Sequence, residues 1–133
     1  MDKLDMAFKK ALEARNNAYA PYSGFKVGAA LAVKGMDRLF SGCNVENASY
    51  GGTICAERTA IVSSVAVLGK VDLEFCVVVT DSVPPSPPCA LCLQVFSEFC
   101  DPDFPIYLAT LKGIEKKFFL RDLLPVPFNK IPD

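Results

Sequence analysis

Two cysteine motifs constrain this chain of 133 residues more than any other feature. The first motif is Cys55-Ala56-Glu57, and the second is Pro88-Cys89-Ala90-Leu91-Cys92. Together they offer three thiol ligands for a soft metal ion and one carboxylate that need not be a ligand. The chain contains no histidine, so any zinc site in it is a cysteine site. An ion held by all three thiolates requires the two motifs to meet in the fold.

The number of ligands indicates a catalytic zinc site. Three thiolates leave one tetrahedral position open for water, whereas a structural site normally closes all four positions with protein groups. Zinc lowers the pKa of bound water, and a free carboxylate beside it can carry protons, which is the role we predict for Glu57. Taken alone, Glu57 also fits a solvated residue favoured by the dipole at a helix start. A bare Cys-x-x-Cys also occurs in structural zinc sites and in redox proteins, but a redox role leaves Cys55 and Glu57 unexplained.

Length and charge favour one domain that binds a small molecule. A chain of this length fits a single domain, which we assign to residues 1–133. About half of the residues are apolar (51%) and the net charge is −1, so the sequence predicts a compact fold and no nucleic-acid partner. Residues 112–117 hold three lysines, but a glutamate lies among them, and we predict a solvated turn between strands there.

The amino terminus and the remaining cysteines indicate a cytoplasmic protein. Residues 1–15 are charged and lack the apolar segment of a signal peptide, and no apolar run is long enough to cross a membrane. In a reducing compartment, six cysteines are expected to be thiols or ligands. We interpret Cys76 as a buried strand thiol. Cys43 and Cys100 are interpreted as structural, although Cys43 precedes the polar segment that begins at Asn44 and is an alternative candidate for lining the site.

Hydrophobic periodicity predicts a hairpin followed by alternating helices and strands. Residues 2–20 have one apolar stripe and predict an amphipathic helix that ends at Pro21. The other predicted helices are residues 55–68, ended by Gly69, and residues 89–99. The predicted strands are residues 25–33, 39–45, 73–80, 106–111 and 117–120, the first two joined as a hairpin. This order predicts an α/β fold, a three-layer α/β/α sandwich with a mixed five-stranded sheet.

Both cysteine motifs open predicted helices, where thiolates are stabilised. Helix amino termini carry partial positive charge and free N–H groups, which lower the pKa of a thiol. Zinc with three thiolates has a formal charge of −1, and this excess would weaken its hold on hydroxide. Arg58 directly follows Glu57, and we predict that it donates hydrogen bonds to the thiolates and offsets that charge.

Four linked motifs follow one another along the chain: residues 21–30 (PYSGFKVGAA), residues 44–51 (NVENASYG), residues 55–61 (CAERTAI) and the Pro-Cys-x-x-Cys of residues 88–92. Together these motifs closely resemble those of the small, homotetrameric, zinc-dependent cytidine deaminases. The resemblance runs in order from about residue 18 to residue 128. It includes the (His or Cys)-x-Glu followed by Pro-Cys-x-x-Cys of zinc nucleobase deaminases, in which the glutamate is the general acid and base.

The resemblance implies hydrolytic deamination of cytidine and deoxycytidine, an activity of pyrimidine salvage, with one Zn²⁺ per subunit. Cys55, Cys89 and Cys92 would be the ligands, Glu57 would move the protons during attack at C4, and Arg58 would compensate the charge. Alternatives left open are a related enzyme for another aminated pyrimidine nucleoside or nucleoside antibiotic, and a non-catalytic zinc protein.

The resemblance also implies how a nucleoside is recognised. By resemblance, Asn44 and Glu46 bind the ribose hydroxyls, and Phe25 packs against the pyrimidine. The backbone of Ala56 reads the base. On composition alone, Asn44 and Glu46 fit a solvated strand end.

By the same resemblance, two aromatic residues, Tyr50 and Phe128, reach into the site of a neighbouring subunit. The active site would then be completed in a homotetramer. As an isolated aromatic, Phe128 also fits a core position.

The chain departs from the family at two positions in the second motif. The usual Pro-Cys-Gly-x-Cys-Arg-Gln has Ala90 in place of the glycine and Leu93 in place of the arginine, with Gln94 retained. Without that cation, Arg58 has to offset more of the negative charge on the thiolates. We expect the zinc affinity or the working pH range to differ from that of the family.

Overall fold

Helices and strands alternate in the middle of the chain, between a helix and β-hairpin near its start and a second pair of consecutive strands near its end. In the computed structural model, which describes residues 1–132, the elements are α1 (Lys3–Arg15), β1 (Val27–Val33), β2 (Leu39–Cys43), α2 (Ala56–Leu68), β3 (Leu73–Thr80), α3 (Ala90–Phe99), β4 (Pro105–Thr110), β5 (Gly113–Phe119) and α4 (Leu120–Leu123). Strand β3 has the predicted bounds, and its almost uninterrupted apolar sequence is buried on both faces.

The strands form one sheet in the order β2-β1-β3-β4-β5. Strands β3 and β4 are parallel, and the other neighbours are antiparallel. On one face, α2 and α3 pack over a core that includes Leu31, Ile61 and Phe96. On the other face, α1 packs over a second core through Ala7 and Ala11. The predicted three-layer sandwich with a mixed five-stranded sheet is confirmed.

Two glycines let the helices approach the hairpin closely. A Cβ atom on Gly28 of β1 would lie 1.9 Å from the carbonyl oxygen of Ala11 in α1. A Cβ atom on Gly42 of β2 would lie 2.6 Å from the carbonyl oxygen of Ala56, on the first turn of α2. Because Gly42 lacks this atom, the beginning of α2 lies directly against the sheet, and this contact positions the first cysteine motif.

The ends of several predicted elements were wrong, including those of β4, which was predicted at residues 106–111 and is Pro105–Thr110. Helix α1 ends at Arg15 and not at residue 20, because the Tyr19 N–H donates to the carbonyl of Asn44 and the Tyr19 carbonyl accepts from Glu46. The predicted strand 25–33 begins at Val27, since side chains bind the backbone of Phe25. The predicted strand 39–45 ends at Cys43.

The segment predicted as a solvated turn, residues 112–117, is mostly strand. Strand β5 begins at Gly113, so the turn before it is short. The three central residues of β5 are exposed. Their charged side chains are those expected on the edge strand of a sheet, where charge prevents pairing with another chain. Strand β5 ends at Phe119, one residue before the predicted end, and α4 was not predicted. None of the helices in residues 1–132 is long and apolar enough to cross a membrane.

Candidate metal centre and its cavity

The structure brings the three cysteines of the two motifs together. Cys55 is the N-cap of α2, and Cys89 is the N-cap of α3. Cys92 lies one turn into α3, and residues three apart on a helix share a face. The three Sγ atoms all lie within 4.8 Å of one another, and the Sγ atoms of Cys55 and Cys89 are 3.6 Å apart.

This donor set fits a zinc ion. Zinc–sulfur bonds of about 2.3 Å at tetrahedral angles separate neighbouring sulfurs by ~3.8 Å. The observed 3.6 Å between Cys55 Sγ and Cys89 Sγ agrees with that spacing. Three thiolates would hold the ion, and the fourth position would remain for water.

Arg58 lies beside the sulfurs. Its Nη2 atom is 3.5 Å from Cys55 Sγ and 3.4 Å from the carbonyl oxygen of Thr53. Hydrogen bonds from the Cys92 thiol and from Arg58 lower the pKa of Cys55 to about 5, although burial opposes the shift. The pKa of Cys92 is raised, because its thiol donates to Cys55 and is itself buried. The cluster therefore stabilises a thiolate even without a metal ion.

The carboxyl group of Glu57 is buried beside the cysteines. Glu57 is only 4% exposed and lies in the first turn of α2. Burial raises its pKa to about 7, and the nearby charge of Cys55 acts in the same direction. This burial rules out the alternative of a solvated Glu at a helix start. A carboxyl group with this pKa can both accept and donate a proton near neutral pH.

Glu57 lies on the wall of a cavity of about 160 Å³. The residues that line it come from the β1 and β2 ends, the start of α2, the end of β3 and the loop before α3: Phe25, Val27, Asn44, Cys55, Ala56, Glu57, Val78, Thr80, Ser86, Pro87 and Cys89. Three residues predicted to bind a nucleoside, Phe25, Asn44 and Ala56, therefore share this cavity with two of the predicted metal ligands, Cys55 and Cys89. Asn44 is buried, at 8% exposure, and does not lie at a solvated strand end.

Glu46 and Tyr50 line a second cavity, of about 330 Å³, together with Tyr22, Ser23 and Thr53. The Glu46 carboxylate accepts hydrogen bonds from the Ser23 hydroxyl and from the N–H groups of Ser23 and Tyr22. The bond from the Ser23 hydroxyl is the largest of the causes that lower the pKa of Glu46. Glu46 is therefore already bonded to the turn that leads to Phe25.

Phe128 does not line either cavity of its own chain. Its ring is 65% exposed, so the alternative of a core position was wrong. Its carbonyl oxygen accepts a hydrogen bond from the Gln94 side chain in α3. Tyr50 is also exposed, at 78%, and its ring packs edge-on against Tyr22.

The remaining cysteines lie outside the cluster. Cys76 is fully buried in β3, as predicted, and burial raises its pKa. Cys43 lines a different cavity, beside Lys10 and Thr59, and not the cavity of Glu57. Cys100 is the C-cap of α3, where burial raises its pKa to about 12.

Several residues of the Glu57 cavity were not predicted. Thr80 ends β3 and is 1% exposed, and Ser86 lies in the loop that leads to Cys89. The position of Thr80 at the carboxyl end of a strand with a parallel neighbour was a usable signal, because ligands bind at such ends. Leu93, which replaces the usual arginine, is buried in the core between the sheet and the helices.

Comparison with known families agrees with this geometry. Residues 1–108 match the family described as "Cytidine and deoxycytidylate deaminase zinc-binding region". The chain belongs to this family. The resemblance to the cytidine deaminases stated from the sequence is confirmed, and so is the assignment of zinc, for which the three cysteines offer ligand atoms within 4.8 Å of one another.

Relatives in this family match nearly the whole chain. A cytidine deaminase of Halalkalibacterium halodurans is 44% identical over 97% of this chain and 96% of its own length. One of Sporosarcina psychrophila is 42% identical over 98% and 92% of the two chains. The crystal structure of a cytidine deaminase from Burkholderia pseudomallei superposes with a TM-score of 0.87, is 42% identical, and covers 93% of this chain and 98% of that one.

The raised pKa of Glu57 predicts how the metal-free protein responds to pH. Between the ordinary pKa of 4.5 and the folded value of about 7, the native state holds more protons than the unfolded state. The free energy of unfolding therefore falls as pH rises through this window, by roughly 3 kcal/mol in total. Glu57→Gln removes this titration. We therefore expect the free energy of unfolding of the metal-free variant, relative to that of the metal-free parent, to be higher at pH 8 than at pH 4.5 by that amount. Urea unfolding of the chelator-treated proteins at pH 4.5 and pH 8 measures this change. If variant and parent differ in free energy of unfolding by the same amount at both pH values, burial does not raise the pKa of Glu57.

Proposed function

We propose that this protein catalyses the hydrolytic deamination of cytidine and deoxycytidine to uridine and deoxyuridine, with release of ammonia. The observation that carries this proposal is the buried carboxyl group of Glu57 in a cavity whose wall includes Cys55 and Cys89. The named activity of relatives that match almost the whole chain supports it.

The chemistry follows from the positions of the cysteines and Glu57. Zinc, when bound by the three thiolates, lowers the pKa of water so that hydroxide is available near neutral pH. Glu57 accepts one proton of the attacking water and delivers it to N3 of the ring. It then accepts the remaining proton from the hydroxyl group now on C4 and delivers it to the amine, so that ammonia leaves and the C4 carbonyl forms. Arg58 donates to the Cys55 sulfur and offsets negative charge on the thiolates.

The cavity walls supply groups for holding a nucleoside. The ring of Phe25 would pack against the pyrimidine, and the backbone of Ala56 would read its polar edge. Asn44 and Glu46 would bind the ribose hydroxyls. The side chain of Asn44 already donates to the carbonyl of Phe25 and accepts from the N–H of Val27, so its orientation is fixed before substrate binds.

A nucleoside fits these cavities better than a nucleotide. The residues that line the two cavities include no lysine or arginine, and Glu46 adds an acidic group. A phosphate group is normally bound by cations or by helix N-termini. The two helix starts nearest the cavity already carry the cysteines.

A substrate panel tests the proposal. We expect release of ammonia from cytidine and deoxycytidine, and much slower release from free cytosine and from deoxycytidine monophosphate. Free cytosine lacks the ribose, and the monophosphate adds charge beside Glu46. Turnover of another aminated pyrimidine nucleoside alone would favour the related-enzyme alternative. Bound zinc with no turnover of any nucleoside would indicate a structural zinc protein.

We further propose a homotetramer with shared sites. Tyr50 and Phe128 are exposed aromatic residues that lie outside the Glu57 cavity of their own chain, and large exposed aromatic groups are typical of interfaces. They would complete the cavity of a neighbouring subunit.

Mixed assemblies test the shared site. We expect Phe128→Ala to lose at least about tenfold in turnover, as for an aromatic residue buried at an interface. Co-assembly of Phe128→Ala subunits with Glu57→Gln subunits should restore activity, because some sites then combine an intact Glu57 with an intact Phe128 from the neighbouring subunit. With random mixing roughly a quarter of the sites do so, and activity should reach roughly a quarter of the wild-type value. Each parent assembly should stay nearly inactive. Mixed assemblies no more active than the better parent would show that Phe128 does not act across subunits.

A cytoplasmic location and a role in pyrimidine salvage complete the proposal. The six cysteines, all within the described residues 1–132, form no disulfide, as expected in a reducing compartment. Deamination of a cytosine nucleoside yields the corresponding uracil nucleoside for reuse.

A further inference from the structure

Side chains bind both backbone polar groups of Phe25. Its N–H donates to Ser23 Oγ at 3.0 Å, and its carbonyl accepts from Asn44 Nδ2 at 2.7 Å. Phe25 lies before the first residue of β1, so the strand ladder does not hold it. Its ring is 41% exposed and lies on the wall of the Glu57 cavity. The position of that ring therefore depends on these side-chain bonds.

Ser23 is in turn held by Glu46. The Ser23 hydroxyl donates to Glu46 Oε2. Glu46 Oε1 accepts from the N–H groups of Tyr22 at 2.9 Å and Ser23 at 3.0 Å. One carboxylate thus fixes the turn through three bonds, and hydrogen bonds to an ionised acceptor are stronger than neutral ones. Gly24, with φ of +69°, lets the chain turn between Ser23 and Phe25.

We infer that Ser23 is a positioning residue, which with Glu46 holds the ring of Phe25 on the cavity wall. This inference rests on the proposed function, because Phe25 is the residue proposed to pack against the pyrimidine. Ser23 does not line the cavity of Glu57, so it acts through Phe25 and not by contact with the reacting ring. Glu46 then has a second role besides binding the ribose, which is to organise the turn before substrate binds.

A double-mutant cycle on Ser23 and Phe25 tests the inference. Ser23→Ala removes one hydroxyl that bonds a carboxylate, so we expect KM for cytidine to rise about five- to tenfold. We expect kcat to stay within about twofold, because packing on the pyrimidine is similar in the ground and transition states. In the Phe25→Ala background, the same Ser23→Ala change should alter KM by less than about twofold. Ser23→Thr keeps the hydroxyl and should restore KM.

Ser63→Ala is the matched control, since the Ser63 hydroxyl donates to a backbone carbonyl in α2 and it lines neither cavity. This variant should leave KM unchanged. If the effects of Ser23→Ala and Phe25→Ala on KM multiply, Ser23 acts independently of Phe25 and the inference is overturned. Failure of Ser23→Thr to restore KM also overturns it.

Amide hydrogen exchange tests the same contact without turnover. We expect the Phe25 amide to exchange faster in Ser23→Ala and to recover its protection in Ser23→Thr, because the hydroxyl is its acceptor. Equal exchange in all three proteins would overturn the inference. If the wild-type protein deaminates no cytidine, the proposed function fails, and this measurement still decides whether Ser23 holds Phe25.

Discussion

Glu57→Gln is expected to lower the turnover of cytidine by about 10²- to 10⁴-fold while zinc stays bound. The side chain is 4% exposed, and a glutamine has nearly the same shape, so the cavity should be preserved. An amide cannot accept the two protons of the attacking water in turn, or deliver one to N3 and the other to the amine. Because it is not a metal ligand, Glu57 should affect the rate and leave the zinc content unchanged.

The measurement compares steady-state turnover with zinc content in the same samples. Glu98→Gln is the matched control, because Glu98 is an exposed carboxylate on α3. This control should keep wild-type turnover. A Glu57→Gln protein that contains zinc and retains wild-type turnover would exclude Glu57 as the general acid and base.

Cys89→Ser is expected to lose both zinc and activity. Its sulfur is 3.6 Å from that of Cys55, and a set of only two thiolates no longer encloses the ion. Loss of the metal removes several kcal/mol of transition-state stabilisation, which corresponds to a fall in turnover of at least about 10³-fold. Cys89 is exposed, unlike Cys92, so this variant carries less risk of misfolding than a change at Cys92.

The test uses zinc analysis, turnover and thermal unfolding. Cys43→Ser is the matched control, since Cys43 is a free thiol outside the metal cluster and should leave zinc content and turnover unchanged. Because metal binding is linked to folding, the melting temperature of the parent should fall on chelation and recover when zinc is returned. A Cys89→Ser protein with full zinc occupancy and full activity would show that these three cysteines are not the ligand set.

Local patterns were sufficient to predict the elements that carry the metal centre. The apolar sequence of β3 is bounded by turn residues, which indicated its ends, and Gly69 ends α2 with a positive φ of 75°, a conformation that favours glycine. Cys55 and Cys89 were placed at helix starts because each motif precedes a run of helix-forming residues. The three sulfurs were predicted to lie together because a zinc ion bound by all three thiolates requires it.

The segments that were predicted wrongly depend on contacts distant in sequence. The end of α1 is set by hydrogen bonds between Tyr19 and the segment after β2, which no local pattern shows. The role of Ser23 depends on Glu46, a residue far along the chain, and an isolated Tyr-Ser-Gly segment indicates only a turn. The charged residues of β5 indicated exposure to solvent, but the side chains of an edge strand can be exposed just as those of a turn are.

The most direct test is the decrease in ultraviolet absorbance of cytidine on addition of the purified protein, with ammonia release and zinc content measured on the same sample. We expect ammonia equal in amount to the cytidine consumed, and about one zinc ion per chain. Protein that is folded and holds that zinc, but releases no ammonia from cytidine or deoxycytidine, would contradict the proposed deaminase activity.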